Sequence, residues 1–326
     1  MDIIEVEGLT KYYKKFLAVD NISFNVREGE FFGLLGPNGA GKTTTIRILT
    51  GLLKPSSGNI FVTGIDVRKN SVEVKSNIGI ISETANPYLE MSAWDNLMFA
   101  GALHSLSREE RRKRAEDLLK LLGLYNRRNE KVENFSKGLR KRVAIALALM
   151  HDPQVLFLDE PTSGLDVQSS RMIRQFLRKL NENGVTIFLT THYIEEADSL
   201  CDRIGIIKNG KIIAIDSPEN LKAQSKKKRT LEISFENTLE NIAEEIQKLP
   251  NVKLVKKYAD KFIIHTDDIS ETIKELVNFA SKKNLRIVSL NTMAPSLEDT
   301  FVELTGLSSL ELERIEQIGK MRKMKM

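Results

Sequence analysis

Gly36-Pro37-Asn38-Gly39-Ala40-Gly41-Lys42-Thr43-Thr44 decides how this chain is read. The stretch fits G-x-x-x-x-G-K-[ST], a pattern whose meaning depends on a strand before it and a helix after it. Both neighbours are legible. Phe31-Phe32-Gly33-Leu34-Leu35 is an apolar run of strand length, and Thr45-Ile46-Arg47-Ile48-Leu49 takes up helical spacing. Gly36, Gly39 and Gly41 let the backbone curl so that successive N–H groups face one concavity, where the helix N-terminus adds positive potential. In such a loop Lys42 reaches the β- and γ-phosphates and Thr43 offers its hydroxyl to Mg²⁺. The pattern predicts a nucleoside triphosphate site.

Outward from this loop, strand and helix signals alternate. Ile4–Leu9 and Ala18–Val26 read as half-buried strands, with Ile22, Phe24 and Val26 on one face. Asn59–Gly64 and Ile78–Glu83 read as further strands. The pattern then turns helical from Ala93 to about Leu124, with Ser92 and Ser107 as N-caps. Ser136-Lys137-Gly138 opens another helix that ends at His151-Asp152-Pro153. Val155-Leu156-Phe157-Leu158 reads as a strand covered on both faces, followed by a helix over Ser169–Leu180 and a strand over Thr186–Thr190. Asn209-Gly210 predicts a hairpin between Arg203–Lys208 and Lys211–Ile215.

After residue 220 the organisation changes. Lys226-Lys227-Lys228-Arg229 reads as part of a solvated linker over 221–229, and 230–306 follows the order β-α-β-β-α-β of a ferredoxin-like domain. Its helical faces are Leu239, Ile242, Ile246 and Leu249, then Ile269, Ile273, Leu276, Val277 and Ala280. Residues 307–326 form a basic, methionine-rich tail of helical pattern that frays.

Composition limits the classes. The chain has 326 residues, 41% hydrophobic and 29% charged, the balance of a soluble globular protein with room for two domains. No run approaches the roughly 18–20 apolar residues of a membrane-spanning helix, and the N-terminus lacks the pattern of a signal peptide. Cys201 is the single cysteine, which excludes an internal disulfide and a cysteine-based zinc site. A net charge of +5 is mild, and the basic runs at Arg111–Arg114 and Lys226–Arg229 read as solvated faces, so no nucleic-acid partner is expected.

A phosphate loop alone specifies binding, not a reaction. Asp159, at the end of the strand Val155–Leu158, is placed to hold Mg²⁺ through its water shell. Glu160, one residue further out, is placed to orient and polarise a water for in-line attack on the γ-phosphate. His192 follows Thr190-Thr191 at the C-terminal edge of the sheet, where α/β folds bind ligands.

With these motifs in this order, residues 4 to about 220 resemble an ATP-binding subunit of an ABC transporter. Gly36–Thr44 matches the Walker A loop, Asp159 and Glu160 match Walker B and the catalytic glutamate, Ser163–Asp166 the D-loop, and His192 the switch histidine. Tyr13 sits at the position of the adenine-stacking aromatic, with Tyr12 and Phe16 as rivals. Phe135-Ser136-Lys137-Gly138-Leu139 corresponds to the signature usually written LSGGQ, with Ser136 and Gly138 facing the γ-phosphate and Lys137 in place of the first glycine. Glu83 falls where the family commonly carries a glutamine that touches Mg²⁺ and senses the membrane partner. Glutamate keeps the oxygen ligand but loses the amide donor.

The resemblance implies an α/β P-loop NTPase of ABC type over 1–220, with an antiparallel β subdomain and a helical insertion at about 84–150. It implies ATP and Mg²⁺ as ligands and Lys42, Glu160 and His192 as catalytic residues. It further implies a second ATP-binding subunit paired head to tail, a homodimer being the simplest case, and a separate integral-membrane permease docked on the insertion. The expected place of work is the inner, cytoplasmic face of the membrane. Ser296–Gly306 resembles the end of multidrug and antibiotic exporter ATPases, which points to export. Two other readings stay open here, an ATPase acting on ribosomes or DNA and a nucleotide-gated regulatory module.

Overall fold

The computed structural model describes residues 1–82, 87–224, 230–236, 241–258, 260–293 and 296–306. Glu83, the basic run Lys226–Arg229, Leu239 and the tail from Leu307 lie outside them. Contacts divide the described chain into two compact units, 1–218 and 219–306.

The first unit opens with the long strands β1 (Asp2–Tyr13) and β2 (Phe16–Arg27), which pair as an antiparallel hairpin. Next come β3 (Phe31–Leu35), the phosphate loop and α1 (Lys42–Leu49), then β4 (Ser57–Val62), the two-residue β5 (Ile65–Asp66), α2 (Ser71–Asn77) and β6 (Ile78–Ile81). The helical insertion contributes α3 (Ala93–Leu103), α4 (Arg108–Leu121) and α5 (Lys137–Leu149). The chain returns through β7 (Val155–Asp159), α6 (Val167–Glu182), β8 (Thr186–Thr191), α7 (Ile194–Leu200), β9 (Arg203–Lys208) and β10 (Lys211–Asp216).

Two sheets result. One is antiparallel, in the order β2-β1-β4-β5; the other runs β10-β9-β3-β8-β7-β6. In the second, β9, β3, β8, β7 and β6 are parallel, and β10 adds an antiparallel edge. Every residue of β3, β7 and β8 is buried, as expected of central strands covered on both faces. The sheets meet through stacked rings: Phe24 of β2 lies 5.6 Å from Phe32 and 6.0 Å from Phe188, and Phe188 lies 5.5 Å from Phe157. Such aromatic packing adds about 0.5–1.5 kcal/mol per pair beyond the area buried.

The insertion breaks between α3 and α4, where the Ser107 N-cap predicts a fresh helix start. Ser105 takes a left-handed φ of 59° and the Ser107 capping box starts α4 afresh, with Glu110 N–H donating to Ser107 at 3.2 Å. The run Arg111–Arg114 is only partly a solvated face. Arg111 donates to the Met98 carbonyl at 3.4 Å and Arg114 to the Met150 carbonyl at 3.3 Å, which ties α4 to α3 and to the end of α5.

In the second unit, α8 (Pro218–Gln224) occupies residues expected to open the linker, and Leu221 is fully buried. A buried apolar side chain is what a solvated basic linker lacks. β11 (Thr230–Phe235), α9 (Ile242–Gln247), β12 (Val252–Tyr258), β13 (Lys261–Thr266), α10 (Ile269–Lys282) and β14 (Ile287–Met293) give the sheet β12-β13-β11-β14. This is the ferredoxin-like arrangement. Its core gathers Leu231, Ile233, Phe262, Ile264, Ile246 and Leu276. Val277, expected on the apolar face of α10, is 44% exposed, because it sits at the edge of the stripe whose centre, Leu276 and Ala280, meets the core. The unit closes with α11 (Leu297–Thr305), whose capping box pairs Ser296 with Asp299.

Candidate functional site

Three neighbouring parallel strands set the site. β8 lies between β3 and β7, with Leu35 level with Thr191 and Asp159 level with Thr190. The phosphate loop, Asp159-Glu160 and His192 therefore leave the sheet side by side at its C-terminal edge, where α/β folds bind ligands.

The loop is held before any ligand arrives. Gly36 N–H donates to the Thr191 carbonyl at 3.2 Å, and Ala40 N–H to the Pro37 carbonyl at 3.1 Å. A side chain at Gly36 would run into the Ile207 carbonyl, and one at Gly41 would come within 2.7 Å of the Ala18 carbonyl. Gly39 and Gly41 also take φ of 82° and 109°, in the region that favours glycine. Gly41 is the N-cap of α1, so Lys42, Thr43 and Thr44 form its first turn with their N–H groups turned toward the loop. The Lys42 ammonium is buried and donates to the Gly36 and Pro37 carbonyls at 2.7 and 3.2 Å.

The acids are wired to the loop. Asp159 Oδ1 accepts the Thr43 hydroxyl at 3.3 Å and the Thr190 hydroxyl at 2.5 Å. Glu160 Oε1 lies 3.3 Å from the Lys42 ammonium, and its Oε2 lies 2.7 Å from His192 Nδ1. Burial pushes the Glu160 carboxyl upward more than any other single influence. The His192 hydrogen bond and the Lys42 charge together outweigh it and hold the group below its ordinary range. Glu160 also has φ of 51°, a left-handed conformation rare outside glycine, kept in place by its N–H bond to the Thr190 carbonyl at 3.0 Å.

Thr43 and Asp159 present only hard oxygen atoms, the donor type that suits Mg²⁺. Among the described residues no group of three or more His, Cys, Asp or Glu gathers as a metal cage. An ion held here fits the Mg²⁺ pattern of one or two protein oxygens completed by phosphates and water.

Not every expected residue joins this cluster. Ser136 caps α5, accepting the Leu139 N–H at 3.4 Å, and Gly138 packs where a side chain would collide with Ser169 at the start of α6. Lys137 lies against Gly164. Tyr13 and Phe16 face each other across the end of the β1–β2 hairpin, 43% and 64% exposed, with Tyr12 at 48%. β2 passes the phosphate loop at Ala18, just beyond that aromatic end. Glu83 is outside the described residues; Ser82 before it accepts from the Lys141 ammonium at 3.3 Å.

The sequence reading missed Thr190, Thr191, Thr162 and Glu196. Threonines ending a fully buried strand were the available signal, since a buried hydroxyl needs a partner.

A family model described as ABC transporter matches residues 19–163, and one described as ATP-binding protein DrrA1-3-like, C-terminal domain, matches residues 217–305. The linearmycin resistance ATP-binding protein LnrL of Bacillus subtilis (strain 168) is 38% identical over 306 residues, 93% of this chain and 98% of its own. The daunorubicin resistance ATP-binding protein DrrA3 of Streptomyces coeruleorubidus is 34% identical over 305 residues, 93% of this chain and 96% of its own. Among solved structures, the dimeric post-hydrolysis state of the ATP-binding cassette MJ0796 bound to ADP and Pi is similar with a TM-score of 0.61 and 32% identity. That likeness spans 66% of this chain and 98% of the cassette.

Proposed function

Because this chain belongs to the ABC transporter family of ATP-binding subunits, we propose that Lys42, Asp159, Glu160 and His192 hydrolyse ATP to power export through a separate membrane permease. The observation that carries the reading is the buried cluster in which Glu160 stands 3.3 Å from Lys42 and 2.7 Å from His192, beside the phosphate loop. Lys42 is held by two carbonyls and one carboxylate, partners that the more negative phosphates can replace. Glu160 is then the carboxylate left to orient a water and accept its proton, with His192 fixing its second oxygen. Thr43 and Asp159 would hold Mg²⁺, and the ion would supply positive charge against the negative charge developing on the transferred phosphoryl group.

Ser136 and Gly138 start a helix packed on α6, away from the strand ends that carry the phosphate loop. A head-to-tail pair of copies lets this segment of one chain close over the nucleotide of the other, and the dimeric state of the similar cassette supports that assembly. The permease docks on the insertion, where Tyr88, Leu89, Phe99 and Leu103 are exposed and the Tyr88 and Phe99 rings meet edge to face at 5.5 Å. No helix among the described residues is long and apolar enough to cross a membrane, so the inner-face location comes from the permease. The names of two relatives, resistance proteins for linearmycin and daunorubicin, favour a drug-like cargo.

The test is Glu160→Gln, which keeps the shape and removes the base. Steady-state ATP hydrolysis should fall by about 10²–10⁴ while ATP still binds. Turnover equal to the parent's would overturn the assignment.

A further inference from the structure

Glu196, on α7, is 1% exposed. Its two oxygens are used in opposite directions. Oε1 accepts the Thr162 hydroxyl at 2.9 Å, and Oε2 accepts the Thr191 hydroxyl at 2.6 Å. Thr162 lies just past Glu160 in the loop after β7, and Thr191 is the last residue of β8, next to His192. The Thr191 oxygen also receives the Tyr193 N–H at 3.0 Å, which leaves the hydroxyl's own proton to go to Glu196.

A buried carboxyl is expensive to keep, and burial moves this one above the ordinary carboxylate range. An apolar side chain would fill the same place without that cost. What it could not do is join the two loops. The backbone on one side of the join is the strained one, with Glu160 at φ of 51°, a geometry that persists only where its surroundings over-determine it.

We infer that Glu196 is a positioning residue, a brace between the loops after β7 and β8 that keeps Glu160 and His192 within hydrogen-bonding distance. The inference rests on the reading of Glu160 and His192 as the reacting pair. Glu196 acts through Thr162 and Thr191.

The experiment compares Glu196→Ala, Glu196→Gln, Thr162→Val and Thr191→Val with Glu160→Gln, measuring kcat, KM and equilibrium ATP affinity. Glu196→Ala should lower kcat about tenfold, the loss of two buried hydrogen bonds, while KM and affinity stay within about twofold. Glu196→Gln should recover at least about half of kcat, since an amide can accept from one threonine and donate to the other. Each threonine variant should lose about threefold, and Glu196→Ala with Thr191→Val should be no worse than Glu196→Ala alone.

Unchanged kcat in Glu196→Ala and both threonine variants, with Glu160→Gln inactive, would overturn the brace and leave the reading of the site intact. So would a loss confined to KM, or a glutamine no better than alanine. Full turnover in Glu160→Gln would instead remove the reacting pair, and the brace with it. Should Glu196→Ala fail to fold, the two threonine variants decide the matter.

Discussion

The phosphate-loop cluster and the signature segment are both expected to meet the same nucleotide, yet they are built in contrasting ways. Lys42 and His192 lie 3.3 and 2.7 Å from Glu160, Asp159 accepts the Thr43 hydroxyl at 3.3 Å, and Lys42, Asp159 and Glu160 are buried. Ser136 and Lys137 are exposed at a helix start, and the Ser136 hydroxyl caps that helix. The first region is a finished half-site, pre-ordered by its own contacts. The second is an exposed helix start, which on the proposed reading meets the nucleotide of a partner copy. Pre-ordering lowers the cost of binding at the first, and exposure makes the second conditional on a partner.

Lys42→Ala attacks the finished half. It removes a charge with three close partners, and ATP affinity measured by equilibrium binding should fall by about 3 kcal/mol, roughly a hundredfold. Unchanged affinity would mean that the loop binds without its ammonium. Tyr13→Ala tests whether the half-site extends to the hairpin end: it should cost about 1–2 kcal/mol of ATP affinity, and Tyr12→Ala clearly less. Equal losses would make the two aromatics interchangeable.

Gly138→Ala addresses the other region. Its added methyl collides with Ser169, so thermal stability should drop by about 1 kcal/mol, and Ser169→Ala in the same chain should restore part of it. No recovery would show that the contact with the Ser169 hydroxyl does not set that loss. The smallest effect concerns the seam of the insertion, where the His104 and His151 rings stack at 3.8 Å. Burial lowers the affinity of both imidazoles for a proton, and the pair repel when charged. The folded protein therefore takes up these protons less readily than the unfolded chain. Their contribution to stability is complete above about pH 6.5 and declines as the pH falls below it. His104→Gln should flatten that decline, read as the difference in thermal midpoint between about pH 7.5 and about pH 5.5.

The phosphate loop was legible because its chemistry is contiguous: glycines, lysine and threonine in one run, flanked by a strand and a helix. Asp159, Glu160 and His192 were legible as strand ends. The brace was not, because Glu196 meets Thr162 across 34 residues and nothing in either segment announces the other. Short elements escaped for a related reason. β5 has two residues and exists only because β4 pairs with it, and α7 is a seven-residue helix fixed by packing against its neighbours. Val277 shows the reverse error, an apolar side chain at the edge of a stripe whose centre meets the core. In the ferredoxin-like unit the alternation along β11 and β13 gave the order of elements but no site, since its buried residues serve the core alone.

The central claim is that two copies share each nucleotide, one supplying the Glu160 cluster and the other Ser136 and Gly138. Sedimentation of Glu160→Gln with saturating Mg-ATP tests it most directly, because blocked turnover preserves whatever nucleotide holds together. The account predicts a dimer that dissociates when ATP is removed and that fails to form once Ser136 is replaced by Arg in the same chain. A protein that stays monomeric throughout would contradict it.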